Sequence, residues 1–158
     1  MTAILAAPAG GRIIVGSDRA LTDLSAHSIN TVGPKVLRVG DWLVGCAGVY
    51  GGDWEALAKQ DPPDEPSDWS LILPPHEDAS VLLVRGKTIR LGEVCRGYWC
   101  WGVTRGACAI GSGGSEVHAA WLALRGYETD PEKRMRAALA ASARVNVTVR
   151  GPFDVLWS

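Results

Sequence analysis

The residue with the clearest chemical potential stands second in the chain. Thr2 follows Met1, and a small residue in that place permits the methionine to be trimmed, leaving Thr2 with a free α-amino group. Such an amine titrates near ~7.7–8.0 when unperturbed. Near neutral pH it can therefore act as base for the hydroxyl of its own residue, the activation that N-terminal threonine nucleophiles use. Other suggestive motifs are incomplete. Gly86-Lys87-Thr88 has the end of a phosphate-binding loop but lacks its earlier glycine, and it leads into a strand pattern rather than a helix. Gly111-Ser112-Gly113 lacks the glycine two residues before the serine that a nucleophile elbow needs. It also fails as a dinucleotide loop, because Glu116 stands where the third glycine belongs. His27, His76 and His118 are far apart in sequence and read as solvent-facing or structural imidazoles.

The elements that must position Thr2 are short strands. Residues 3–7 and 12–17 are apolar on both faces and flank the turn Pro8-Ala9-Gly10-Gly11, so they read as a hairpin of central strands covered on two sides. Residues 35–39 and 42–48 form a second hairpin across Gly40-Asp41, and 79–85 with 88–94 a third across Gly86-Lys87. The spacing predicts a short helix over 53–60, followed by a Pro-rich acidic loop over 61–78 that cannot continue it. A short strand at 107–110 precedes a helix in which Val117, Ala120, Trp121 and Leu124 recur at helical spacing until Gly126. Asp130-Pro131-Glu132 opens a second helix reaching about Ala143. Residues 145–149 and 153–157 read as closing strands. This order suits two stacked sheets with helices outside them.

Composition narrows the classes. The 158 residues suffice for one domain with a sizeable core, and 47% hydrophobic with 21% charged residues is an ordinary globular balance. Sixteen basic against seventeen acidic residues give a net charge of -1, which offers no footprint for nucleic acid or an anionic membrane. No signal peptide and no run of membrane-spanning length is read. Cys46, Cys95, Cys100 and Cys108 form no close C-x-x-C pair and have no histidine cluster beside them, which favours reduced thiols in the cytoplasm and neither metal nor cofactor.

Taken together, several segments resemble proteasome β-type subunits, and most closely the bacterial HslV peptidase of the N-terminal-nucleophile (Ntn) hydrolases. They are Thr2-Ala3-Ile4-Leu5, Gly16-Ser17-Asp18-Arg19-Ala20, Pro34-Lys35-Val36, Gly45-Cys46-Ala47-Gly48, Ala109-Ile110-Gly111-Ser112-Gly113-Gly114 and the two helices behind it. They occur in family order over nearly the whole chain. Only four of the sixteen basic residues are lysines, so a lysine at position 35 is informative. The resemblance implies an α+β fold, a four-layer αββα sandwich formed by residues 1–158 as a single domain. The first helical layer is reduced, because one short helix and the 61–78 loop stand where the family has two long helices.

The implied activity is a threonine peptidase that hydrolyses peptide bonds through Thr2 after loss of Met1. By the same resemblance Asp18 pairs Lys35, Lys35 keeps the amine of Thr2 in its neutral form, and Gly48 supplies an oxyanion N–H. Ser112 lies near the amine or caps the following helix. Asn146 and Thr148 stand where the family carries an Asp and a Ser. A homo-oligomeric ring and an AAA+ unfoldase partner are implied as well. Two other readings stay open: an inactive homologue serving as an assembly or scaffold protein, and a small-molecule Ntn amidase. The aromatic segment 98–101 reads as a subunit contact or as sheet packing.

Overall fold

The computed structural model describes residues 2–23, 28–31, 33–48, 54–73 and 75–158. Met1, whose trimming the sequence suggests, and His27 lie outside the described residues. The first hairpin forms as expected: β1 (Ile4–Ala9) pairs antiparallel with β2 (Arg12–Asp18), Ile4 opposite Ser17. A two-stranded sheet, β3 (Ala20–Asp23) with β4 (Ser28–Thr31), follows. Next come β5 (Val36–Val39), β6 (Trp42–Ala47), β7 (Ser80–Arg85), β8 (Thr88–Cys95), β9 (Tyr98–Thr104) and β10 (Cys108–Ile110), and β11 (Phe153–Trp157) ends the chain. The larger strands form two antiparallel sheets, ordered β10-β1-β2-β11 and β5-β6-β7-β8-β9.

Alternation along β1 shows why that strand is apolar on both faces. Ile4 and Ala6 point between the sheets, where they meet Val36, Leu43, Leu82 and Ile89. Ala3, Leu5 and Ala7 point the other way, onto helices α3 (Gly114–Ala123) and α4 (Pro131–Val145). Helix α4 buries Met135, Ala138, Leu139 and Ser142, the i, i+3, i+4, i+7 stripe of an amphipathic helix. Its start is fixed as the sequence predicts, because the Asp130 carboxylate accepts hydrogen bonds from Glu132 N at 2.9 Å and Lys133 N at 3.2 Å.

The outer face of the five-stranded sheet carries the reduced layer. Residues 54–57 form a one-turn helix, α1 (Trp54–Leu57), and a second one-turn helix, α2 (Trp69–Ile72), lies inside the segment expected to be all loop. The correction has a packing cause: α2 places Trp69, fully buried, against Trp42 in an edge-to-face contact with ring centroids 5.8 Å apart. Trp54, Trp99 and Trp101 pack around the same cluster. Three indole N–H groups tie this layer to backbone carbonyls: Trp42 to Pro63, Trp54 to Pro34 and Trp99 to Leu73. Bulky rings thus fill volume that short helices leave open, so Trp99 and Trp101 serve sheet packing.

A second correction concerns 145–149. Val145 is the last residue of α4 and no strand follows until Phe153; the Asn146 side chain holds this stretch in a turn by accepting from Thr148 N at 3.1 Å. Among the described residues no helix is long and apolar enough to cross a membrane. The Trp69→Ala variant is expected to lose about 3–5 kcal/mol of unfolding free energy, as large-to-small core truncations do, measured by denaturant titration. Trp69→Phe should lose less, since the indole nitrogen it removes has no partner among the described residues.

Candidate active site

Thr2 sits just before β1 and is buried, 6% exposed. Two neighbours hold its backbone. The chain continues into β1 through Ala3, whose carbonyl accepts from Asp18 N at 3.1 Å, while Gly113 N donates to the Thr2 carbonyl at 3.1 Å. Gly111, at φ +89°, lies so close that an added Cβ would fall 2.1 Å from the Thr2 carbonyl oxygen. Only glycine combines that backbone conformation with that approach.

Asp18, the last residue of β2, is fully buried. Its Oδ1 accepts from Ala3 N at 2.8 Å and from Lys35 Nζ at 3.0 Å; its Oδ2 accepts from Ala20 N at 3.1 Å and Lys35 Nζ at 3.1 Å. Lys35, 9% exposed, thus reaches from the start of β5 across to the other sheet. Burial lowers the Lys35 pKa below the ordinary lysine value, and the Asp18 carboxylate works against that shift through charge and hydrogen bonding.

The loop after β6 turns at Gly48, with φ +92° and an added Cβ only 1.7 Å from the Asp78 carbonyl oxygen. The outer-layer segment therefore shapes this loop. Cys46 lies beside it, and burial pushes its thiol up to about 12. The Cys95 thiol is pushed above its ordinary value, chiefly by its neighbour Cys100 across the β8–β9 turn, and none of the four cysteines is in a disulfide.

Ser112 does not cap α3. Gly113 occupies the N-cap position and no side chain caps that end. Instead Ser112 Oγ lies 3.5 Å from Thr148 Oγ1. Asn146 organises this group: its Nδ2 donates to Ser112 O at 3.1 Å and Glu116 Oε1 at 3.2 Å, while its Oδ1 accepts from Thr148 Oγ1 at 2.6 Å and Thr148 N at 3.1 Å. Glu116 is the participant that the sequence pattern does not single out. The signal for it is its place four residues after Ser112, in the first turn of the helix that the Gly-rich loop opens. Its carboxyl is held below the usual range by hydrogen bonds from Ser115, its own backbone N–H and Asn146. The geometry thus joins Asp18 with Lys35, brackets Thr2 with the 111–113 loop, and groups Ser112 with Thr148, Asn146 and Glu116.

Replacing Asp18 with Asn should cost about 3–5 kcal/mol, because one partner of a buried ion pair is lost. It also removes the two effects that raise the Lys35 pKa, so that pKa falls further. A lysine whose folded pKa lies below its unfolded one binds its proton more weakly in the folded state, so its contribution to stability improves as pH rises from the lowered value toward 10.5. In Asp18→Asn this window extends further down, which melting temperatures measured across pH will show. Iodoacetamide at pH 8 should leave Cys46 unmodified in the folded protein, where the thiolate fraction is about one in ten thousand. Exposed Cys95 and Cys100 should be labelled first, as peptide mass spectrometry will show, and Cys46 only after unfolding.

No protein-family model and no curated protein matches the sequence. Solved structures do match. Thiobacillus denitrificans BPH superposes with a TM-score of 0.74 at 18% identity, covering 99% of this chain and 97% of that one. The same protein in complex with epoxomicin gives 0.72 at 16% identity with the same coverage. The eukaryotic HslV from Trypanosoma brucei gives 0.68 at 21% identity over 98% of both chains. Essentially the whole chain is used in each match, and the layers that bracket Thr2 are those described above. The protein has the fold of HslV-type, proteasome-like subunits, the four-layer αββα sandwich that its sequence resembles.

Proposed function

We propose that the chain is a threonine-type peptidase acting through Thr2 once Met1 has been removed, with residues 1–158 working as one Ntn-hydrolase domain. The observation that carries this reading is the buried Asp18 carboxylate, which holds both the backbone next to Thr2 and the Lys35 ammonium. A cation so placed disfavours protonation of a nearby amine, which keeps the α-amino group of Thr2 available as a base. That amine takes the hydroxyl proton while Oγ attacks the peptide carbonyl. The tetrahedral oxyanion is met by the N–H of Gly48. Collapse expels the leaving amine, which takes up the proton, and leaves an ester on Thr2. Water then attacks the ester with the same amine as base, releasing the acid and restoring the hydroxyl.

The resemblance extends the reading to a homo-oligomeric ring in the cytoplasm, served by an AAA+ unfoldase. Epoxomicin, bound by the Thiobacillus denitrificans BPH, is a suitable probe. Intact-mass measurement of the purified protein is expected to show loss of Met1 and one epoxomicin adduct on Thr2. Thr2→Ala should abolish the adduct and lower peptide hydrolysis by more than about 10³-fold. A chain that retains Met1 and takes no adduct is an inert homologue, and the proposal fails. Analytical ultracentrifugation tests the ring, and a monomer would contradict it.

A further inference from the structure

We infer that Cys95 and Cys100 form a reversible dithiol–disulfide couple at the tip of the β8–β9 hairpin, with small-molecule disulfides such as glutathione disulfide as the oxidant. This chemistry is independent of the peptidase reading and follows from strand register. Glu93 stands opposite Cys100, and Cys95 stands opposite Tyr98. Residues two apart on a strand share a face, so the two cysteines are diagonal neighbours on one face of the ladder. Trp99 and Trp101 alternate with them and pack into the outer cluster on the other face. Cysteine is among the residues most often buried, yet Cys95 and Cys100 are both exposed, whereas Cys46 and Cys108 are partly covered. Packing therefore gives no reason for two thiols here. Their closeness is felt in the Cys95 thiol, for which Cys100 is the largest influence.

The turn holds the diagonal in place. Arg96 and Gly97 have φ +54° and +82°, both left-handed as in a two-residue type I′ hairpin, and such a turn fixes the register beside it. Diagonal neighbours lie roughly 7–8 Å apart, and a disulfide takes about 4.4–6.8 Å between Cα atoms. Oxidation thus draws the tip together by about 1 Å, a movement open to β9 as the outermost strand of its sheet. A bond closed under strain and exposed to solvent is readily reduced again. In the forward direction one cysteine thiolate attacks a sulfur of glutathione disulfide and expels one glutathione thiolate. The other cysteine gives its proton to solvent, attacks the protein-bound sulfur and expels the second. The two cysteine thiols lose two electrons and two protons, and glutathione disulfide becomes two glutathione thiols. Cys108 is a poor competitor, because burial first and then the Glu93 carboxylate push its thiol up.

The test equilibrates the whole chain in glutathione buffers of increasing oxidised share and blocks free thiols with N-ethylmaleimide in denaturant. Tryptic peptides are then read by mass spectrometry without reduction. Trypsin cuts after Arg90, Arg96, Arg105 and Arg125, so Cys95, Cys100 and Cys108 fall on the separate peptides 91–96, 97–105 and 106–125. The expected product is 91–96 joined to 97–105, in chains that run as monomers on a non-reducing denaturing gel. It should fall roughly 10-fold or more on return to excess reduced glutathione. Cys100→Ser should lose the link and carry glutathione on Cys95. Combining Cys100→Ser with Gly102→Cys keeps two exposed thiols but moves the second a further ~7 Å along β9. A Cβ added at Gly102 meets only the Leu91 carbonyl oxygen, at 3.9 Å. This variant should carry two glutathiones and form no link. Two outcomes at every buffer ratio overturn the inference: thiols that stay free, or thiols that take up glutathione separately. So does a link to 106–125, a dimer band, a link that survives excess reduced glutathione, or equal linkage in the relocated variant.

Discussion

A carboxylate sealed from water has to be met by donors on every side, and in this protein the Asp18 carboxylate is met by two backbone N–H groups and one ammonium. An isolated buried charge would cost more than a small domain has to spare. The three donors come from the entry to β1, the start of β3 and the start of β5, so the carboxylate is compatible with one arrangement of both sheets. Folding and site assembly are in this respect the same event. Neither sheet can shift against the other without stripping Asp18 of a partner.

Around that point the remaining parts are set by steric fit. The 111–113 loop closes over the Thr2 backbone because two glycines leave room for it. The loop at Gly48 is pressed against the carbonyl of Asp78, a residue far along the chain from it, so the shape of that loop depends on where the proline-rich segment ends. The hydrogen-bonded group at Ser112 is drawn from the 111–113 loop, from α3 and from the turn after α4, and both helices pack on the β1–β2 face.

Much of this was legible in the residues. The hairpins follow from apolar runs split by Gly-containing turns, and α4 from Asp130-Pro131, since cap chemistry is local. What stayed illegible depends on distant partners. Val145-Asn146-Val147-Thr148-Val149 alternates like a strand, yet Val145 and Val147 are exposed and the polar positions face the Ser112 group. Alternation there serves a turn. Helix α2 was hidden among prolines, and only burial of Trp69 beneath Trp42 calls it into being. Strand β9 was obscured because its tryptophans are spaced to reach an outer cluster that periodicity does not reveal. Asp18 and Lys35 were found by resemblance, and no spacing rule would have paired them.

Five of the seven tryptophans, Trp42, Trp54, Trp69, Trp99 and Trp101, lie in the layer outside the five-stranded sheet, while Trp121 and Trp157 pack with the long helices on the opposite side. Intrinsic fluorescence is therefore unevenly distributed across the molecule. Emission follows chiefly the thin layer of one-turn helices, whereas far-ultraviolet circular dichroism draws on α3, α4 and both sheets. The two signals watch different halves of the protein. Superposed melting curves from them would mean that the thin layer and the thick one unfold as a single cooperative unit.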